Sequence, residues 1–185
     1  MTEVSVENAD SGDKVSWLRI IKILLVVIIS VVILLTIFLP DPISNERAER
    51  VKCMANMKSL SLVLYMYAQD NSNSYPTPEK WCDLVVNKFD DVNDKYFCCP
   101  GGKEGIYSYA INPNCEPNSP EDIILLFETK GGWNQVGGPE LLTLENHKGK
   151  GCNVVFGDLH IEYVKAERIG ELKWDIEKQD GESIE

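Results

Sequence analysis

Ile23-Leu-Leu-Val-Val-Ile-Ile-Ser-Val-Val-Ile-Leu-Leu-Thr-Ile-Phe-Leu39 runs seventeen residues without a charge, and Pro40-Asp41-Pro42 closes it. At a rise of about 1.5 Å per residue the run covers roughly 25 Å as a helix. Adding Trp17, Leu18, Ile20 and Ile21, with Lys22 snorkelling, takes it past the ~30 Å of a bilayer interior. Two other readings exist, a cleaved signal peptide and a buried core helix. A signal peptide needs a shorter apolar centre and a small-x-small cleavage site, which Leu39-Pro40-Asp41-Pro42-Ile43 does not supply. The stretch is therefore expected to be an uncleaved transmembrane helix over residues 17–40, with residues 1–16 as an acidic cytoplasmic tail. Lys14, Arg19 and Lys22 precede it and Arg47, Arg50 and Lys52 follow, a tie on the positive-inside count. The three preceding charges lie nearer the apolar edge, so the expected orientation is N-terminus in and C-terminal domain out.

The 145 residues beyond position 40 are enough for one small domain, expected over 41–165. A net charge of −11 disfavours a nucleic-acid partner, because phosphate binding needs clustered Lys and Arg. The acidic segment 166–185 reads as a weak final helix over Glu167–Glu177, with Ile169, Leu172 and Ile176 inward, and a solvated end. Cysteines stand at Cys53, Cys82, Cys98, Cys99, Cys115 and Cys152, all after the span. Facing an oxidising compartment they are disulfide candidates before they are ligands. Fifteen pairings are possible and sequence does not choose among them. No Cys-x-x-Cys spacing supports a zinc ribbon or a thioredoxin-type site.

Asp41-Pro42 places an N-cap before a proline at the first helical position. The helix it starts carries Cys53, Met57, Leu60, Leu64 and Tyr67 on one stripe, with Arg50, Lys58 and Ser59 on the solvent side. Prolines 40 and 42 should bend the path from the first helix while leaving the two roughly collinear. Thr77-Pro78 repeats the start signal ahead of Trp81, Leu84, Val85 and Phe89. The period then changes. Ile106–Ile111, Asp122–Phe127, Asn153–Phe156 and His160–Val164 read as short strands, the last two joined as a hairpin through Gly157-Asp158-Leu159. The expected class is α+β: a transmembrane helix, then an amphipathic helix packed on a small antiparallel sheet.

Arg50-Val-Lys-Cys53-Met-Ala-Asn-Met-Lys-Ser-Leu60, Tyr65-Met-Tyr67-Ala68 and Tyr75-Pro76 follow the span in order. Trp81, Phe97-Cys98-Cys99-Pro100, Ser108-Tyr109-Ala110-Ile111-Asn112, Leu126-Phe127-Glu128 and His147 succeed them, with Asn153-Val-Val-Phe156-Gly-Asp158-Leu-His160 last. Over residues 47–164 this order resembles prepilin-type, type II secretion major-pseudopilin-like proteins, and its end is similar to a C-terminal motif of His, nine residues, then Asp-Gly. The resemblance implies a pilin-like fold with no enzymatic activity. It implies an inner-membrane anchor with an extracytoplasmic, periplasmic head, and as partners the lipid bilayer and other pilin-like or secretion-system proteins. It points to Tyr109, Asn112, Glu128, His147, Asp158 and His160 as motif residues. Here ten residues separate His147 from Asp158, and Leu159 stands in the glycine position; Gly157 is the expected bearer of the turn's positive φ. Gly12-Asp13-Lys14-Val15-Ser16-Trp17 lacks the hydrophobic residue after glycine and the glutamate of a prepilin-peptidase site. That departure favours a permanently anchored protein over a polymerising one, or a tethered module that binds a ligand or protein.

Glu128, His147, Asp158 and His160 form the one set resembling a metal or acid-base cluster, but a hairpin alternates its faces. The expectation is a turn-closing Asp158, a hydrogen-bonded histidine, no bound cofactor, and neither histidine facing a Cys or Ser. Calcium is the family-like variant, with Asp90, Asp91, Asp94, Glu128 and Asp158 as oxygen donors, although no loop has a dense ligand pattern. Ser108 and Ser119 lack a nucleophile context, and Gly131-Gly132-Trp133 and Gly137-Gly138-Pro139 read as loops around a folded-in Trp133. Structural roles are assigned to Cys53 and Cys99 as a bridge from helix to sheet, to Tyr109 and Asn112 within the sheet, and to His147 and Asp158 at the hairpin.

Overall fold

The computed structural model describes residues 11–38 and 42–176. Asp41, the expected helix cap, the first ten residues of the N-terminal tail and the end of the acidic tail lie outside the described residues. Two compact units divide at Pro42. The first holds helix α1, Ser11–Phe38, whose stretch Trp17–Phe38 is long and apolar enough to cross a membrane. Its large apolar side chains are exposed.

The second unit begins with α2, Pro42–Asp70. Its predicted stripe packs inward: Cys53, Met57, Leu60, Leu64 and Ala68 are buried, and Tyr67 is half-buried. Arg50, expected in solvent, instead lays its guanidinium 4.3 Å above the Tyr163 ring, a contact that desolvates the stem and keeps the charge over a π face. The α2 stripe covers one face of a five-stranded sheet of order β3-β1-β2-β4-β5. Its strands are β1 Tyr109–Ile111, β2 Ile124–Glu128, β3 Gln135–Val136, β4 Gly151–Phe156 and β5 Ile161–Lys165. Neighbours pair antiparallel except β3, which runs parallel to β1. The expectation of a purely antiparallel sheet is therefore corrected to a mixed one.

The reason lies in the segment after β2. Gly131 and Gly132 take φ of 134° and 139°, and the chain turns so that Trp133 meets Phe97 and Tyr107 at ring distances of 4.9 and 4.7 Å. The Trp133 indole N–H donates to Asp83 Oδ1 at 2.7 Å, so this tryptophan is folded in as expected but keeps a polar tether. Asn134 Oδ1 accepts from the backbone N–H of Cys82 at 2.8 Å. It thereby caps α3, Trp81–Lys88, in the role the sequence suggested for Thr77, whose side chain makes no cap bond to the 3-10 turn Pro78–Lys80. The loop thus crosses the end of β1, and its last two residues add to the free edge in the parallel sense.

Side-chain alternation gives the sheet two apolar faces. Tyr109, Ile111, Leu126 and Val155 pack toward α2 with Trp81, Val85 and Phe97. Ala110, Ile124, Phe127, Cys152, Val154 and Val164 face the other way, under Leu141, Leu142, Leu144, Ile169, Leu172 and Trp174. A register shift between Ile124 and Leu126 lets Leu125 join the α2 side, the usual effect of one extra residue in a strand. The expected final helix is a 3-10 segment, Ala166–Glu171. After it the chain extends, and Lys173 bridges Ile123. Ile169 and Leu172 turn inward as expected, whereas Ile176 is exposed. Gly170 inside the segment and three charges among six residues give an α-helix little support there.

The hairpin turn differs from expectation in one detail. Leu159 itself takes φ 68°, while Gly157 lies where a Cβ would come within 2.8 Å of the Pro120 carbonyl. Leu159 holds this conformation because its N–H donates to Phe156 O at 2.9 Å and its side chain packs on the α2-side core. Glycine at 157 is thus needed for close approach, not for φ.

A buried Cys-Cys-His-Glu cluster as the candidate site

Glu128 ends an otherwise apolar strand, Ile-Leu-Leu-Phe-Glu, every residue of which is buried. Cross-strand pairing sets it opposite Tyr109, so both side chains point under α2, where Cys53 comes down from the helix. Cys99 arrives from the segment after the 3-10 turn Asp94–Phe97. His147 ends a second 3-10 turn, Glu145–His147, followed by Lys148 in the left-handed region. The Cys99-Pro100-Gly101-Gly102 loop fits against that turn only because residue 101 has no side chain. A Cβ there would stand 2.5 Å from the Asn146 carbonyl oxygen and 3.3 Å from His147 Nδ1.

The four side chains converge. One donor atom from each of Cys53, Cys99, Glu128 and His147 lies within 4.8 Å of the other three, and all four residues are at most 2% exposed. Glu128 Oε1 accepts from Cys53 Sγ at 2.8 Å and from Asn153 Nδ2 at 2.7 Å, and meets His147 Nε2 at 2.9 Å. Cys99 Sγ meets the same His147 Nε2 at 3.8 Å. The Tyr109 hydroxyl sits 3.1 Å from Cys53 Sγ and donates to the Cys98 carbonyl at 3.3 Å. Two atoms are left over: Glu128 Oε2 and Asn153 Oδ1 are buried without a hydrogen-bond partner, an arrangement that costs free energy in a native interior.

Burial and the neighbouring Cys99 and Glu128 push the Cys53 thiol strongly upward, so it is protonated. Cys99 moves down to about 6, chiefly because Cys53 hydrogen-bonds to it and secondarily through His147, against the opposing effect of burial. Burial alone would depress His147, but contacts with Cys99 and Glu128 outweigh it and raise the imidazole to about 9. Tyr109 is raised by burial and by the adjacent thiols. A thiolate beside an imidazolium invites comparison with a cysteine nucleophile, but the connectivity is wrong for a relay. In a triad the nucleophile and the acid engage opposite ring nitrogens, whereas Cys99 and Glu128 both address Nε2.

The six sequence candidates thus separate. Glu128 and His147 stand in the buried cluster, with Tyr109 against it. Asn112 lies at the far end of β1, where its Nδ2 donates to the carbonyls of Ile124 and Trp174, both at 2.8 Å. Asp158 and His160 pair with each other on the exposed hairpin, and His160 stacks on Phe156 at 4.3 Å. Asp158 Oδ1 also accepts the His160 backbone N–H at 2.9 Å. Its slight burial raises the carboxyl, but these two contacts prevail and hold it below its ordinary value. The four-residue set read from sequence is therefore corrected: its buried half is completed by Cys53 and Cys99, and the expectation that neither histidine faces a cysteine fails at His147. Among the described residues, Asp90, Asp91, Asp94, Glu128 and Asp158 form no common donor group that could hold calcium. All six cysteines are thiols, so the expected Cys53–Cys99 bridge is not formed, although the two residues lie close together.

No family model, curated protein or solved structure matches the chain. What can be said of its role rests on its own residues.

Proposed function

We propose that the protein is a membrane-anchored, non-enzymatic, pilin-like structural component of a secretion or surface-assembly system, with α1 in the inner membrane and the α+β head on the periplasmic side. One observation carries this reading: beside Lys58 and Ser59, the outer side of α2 carries several large apolar side chains opposite its buried stripe. Cys53, Met57, Leu60 and Leu64 point into the head, while Val51, Leu62, Tyr65 and Met66, half a turn away around the helix, are exposed. A helix that needed only to cover a sheet would carry polar residues on its outer side. Such apolar residues on the outer side of the helix that follows a membrane-length segment suit lateral packing against the equivalent helix of another pilin-like subunit. The order of motifs from Arg50 to His160 supports the same assignment.

A photo-crosslinking residue at Leu62 or Met66 tests it in intact membranes. Crosslinks to further copies or to pilin-like partners are expected, and exclusively monomeric protein at both positions would refute packing through α2. A second reading, a tethered binding module that does not assemble, is favoured by the sequence around Gly12, which lacks the peptidase signature. Crosslinks from the same positions to a soluble protein select that reading. The intact mass separates processing from permanent anchoring, since a shortened chain with a methylated new N-terminus is compatible only with filament entry.

A further inference from the structure

The buried cluster under α2 brings together the donor types of a metal site, with one donor atom of each residue within 4.8 Å of the others. We propose that Cys53 Sγ, Cys99 Sγ, His147 Nε2 and a carboxylate oxygen of Glu128 bind one zinc ion, which pins α2 to the sheet. The proposal goes beyond the assembly role and does not depend on it.

A tetrahedral zinc with bonds of about 2.3 Å to sulfur and about 2.0–2.1 Å to nitrogen or oxygen has ligand-to-ligand edges of about 3.3–3.8 Å. The Cys99 Sγ to His147 Nε2 edge is already 3.8 Å, and no edge exceeds 4.8 Å. The edges at Glu128 Oε1, 2.8 Å to Cys53 and 2.9 Å to His147, are those of hydrogen bonds, and must open by about 0.5–0.8 Å to admit the ion. Both hydrogen bonds place a proton where the metal would sit. On binding, each thiol still carrying a proton releases it to solvent, and His147 likewise gives up the proton on Nε2 and binds through its neutral ring.

Three further features fit a cation. Glu128 Oε2 is buried with no partner, although the interior offers it no compensation of its own. One donor atom from each of the four side chains lies within 4.8 Å of the other three. The surrounding shell is organised to hold ligands: Asn153 Nδ2 donates to Glu128, the Tyr109 hydroxyl meets the Cys53 sulfur, and Tyr163 stands edge-on to the His147 ring, as ligand-orienting contacts do in metal proteins. Two thiolates with one imidazole select zinc over calcium or magnesium, and four protein ligands leave no open position for catalysis. Cys99 also borders a surface hollow shared with Asn56, Cys98, Pro100 and Gly102, the side from which an ion can enter.

The competing fate of these residues is a Cys53–Cys99 disulfide, which removes both sulfur ligands. Full-length protein, extracted in detergent without chelator or added reductant, decides between them by elemental analysis together with intact mass after thiol alkylation. About one zinc per chain is expected, with Cys53 and Cys99 protected from alkylation until the metal is stripped. Cobalt(II) added to stripped protein should give tetrahedral d–d bands and a thiolate charge-transfer band. Cys53→Ser and His147→Gln should each lower zinc content at least tenfold, while Cys82→Ser and His160→Gln leave it unchanged. Because the first two variants also remove buried side-chain contacts, the cobalt spectrum of the unaltered chain stands as an independent arm. A native Cys53–Cys99 disulfide, or reduced protein that binds neither zinc nor cobalt, overturns the proposal.

Discussion

The head contains two carboxylate–histidine pairs, and they differ in almost everything except chemistry. Asp158 and His160 lie two residues apart on a hairpin tip, half in water, with the imidazole stacked on Phe156. Glu128 and His147 come from different elements, meet at 2.9 Å beneath α2 and are cut off from solvent. Water screens the first pair, so forming it changes the free energy of the head very little. The second pair has surrendered its hydration, and Cys53, Cys99 and Asn153 supply partners in place of water. An ionic pair on the page of a structure is therefore not a fixed quantity of stability; its surroundings set both its strength and what it can be used for.

The sharpest way to break this comparison is to remove one acid from each pair. Glu128→Ala leaves His147, Asn153 and the Cys53 thiol buried without their acceptor, and should destabilise the head by about 3–5 kcal/mol. Urea unfolding followed by the fluorescence of Trp81, Trp133 and Trp174 measures it on the detergent-solubilised chain. A loss under about 1 kcal/mol, the range of an exposed pair, would mean that the buried cluster is not held together through Glu128. Gly101→Ala reaches the same cluster without replacing any of its four side chains. The new Cβ meets the Asn146 carbonyl at 2.5 Å and must push the His147 turn aside, a change expected to cost about 1–3 kcal/mol. Gly170→Ala is its control. Nothing lies within 4 Å of that position, so its effect should stay within about 0.5 kcal/mol.

What sequence could and could not reveal follows the same division. The membrane-length helix, the Cys53-Met57-Leu60-Leu64 stripe and four of the five strands are local patterns, and periodicity exposes them. Gln135–Val136 is two residues long and has no period of its own; only the docking of Trp133 and Asn134 on α3 delivers it to the sheet edge. The signature of the buried cluster was half visible. A glutamate closing the apolar run Ile124–Phe127 is an anomaly that a strand pattern flags, and Cys99-Pro-Gly-Gly102 announces a tight backbone approach. That Cys53, Cys99 and His147 share one point with that glutamate is a statement about residues separated by dozens of positions. Reading His147 with the nearby Asp158 and His160, as sequence proximity suggests, joined it to the wrong partners. Leu159 shows the reverse limit: a local rule about glycine and φ pointed to Gly157, yet tertiary packing of the leucine side chain holds the strained backbone at 159 instead.

The smallest effect belongs to the exposed pair, and pH tests it from a second direction. Asp158 has a folded pKa below that of an unfolded aspartate, near 3.9. A carboxyl depressed on folding adds stability above its unfolded pKa, and that increment fades as pH falls through the folded value. Asp158→Asn removes the charge but keeps a side-chain oxygen able to accept the His160 backbone N–H. At pH 7 it should lower stability by no more than about 1 kcal/mol. At pH 2.5 the variant and the unaltered chain should unfold at urea concentrations closer together than at pH 7, because protonation of the unaltered carboxyl takes away the increment that the variant lacks. A gap that widens on acidification would show that Asp158 is not held as a carboxylate by His160. A loss at pH 7 as large as that of Glu128→Ala would erase the distinction between the exposed pair and the buried one.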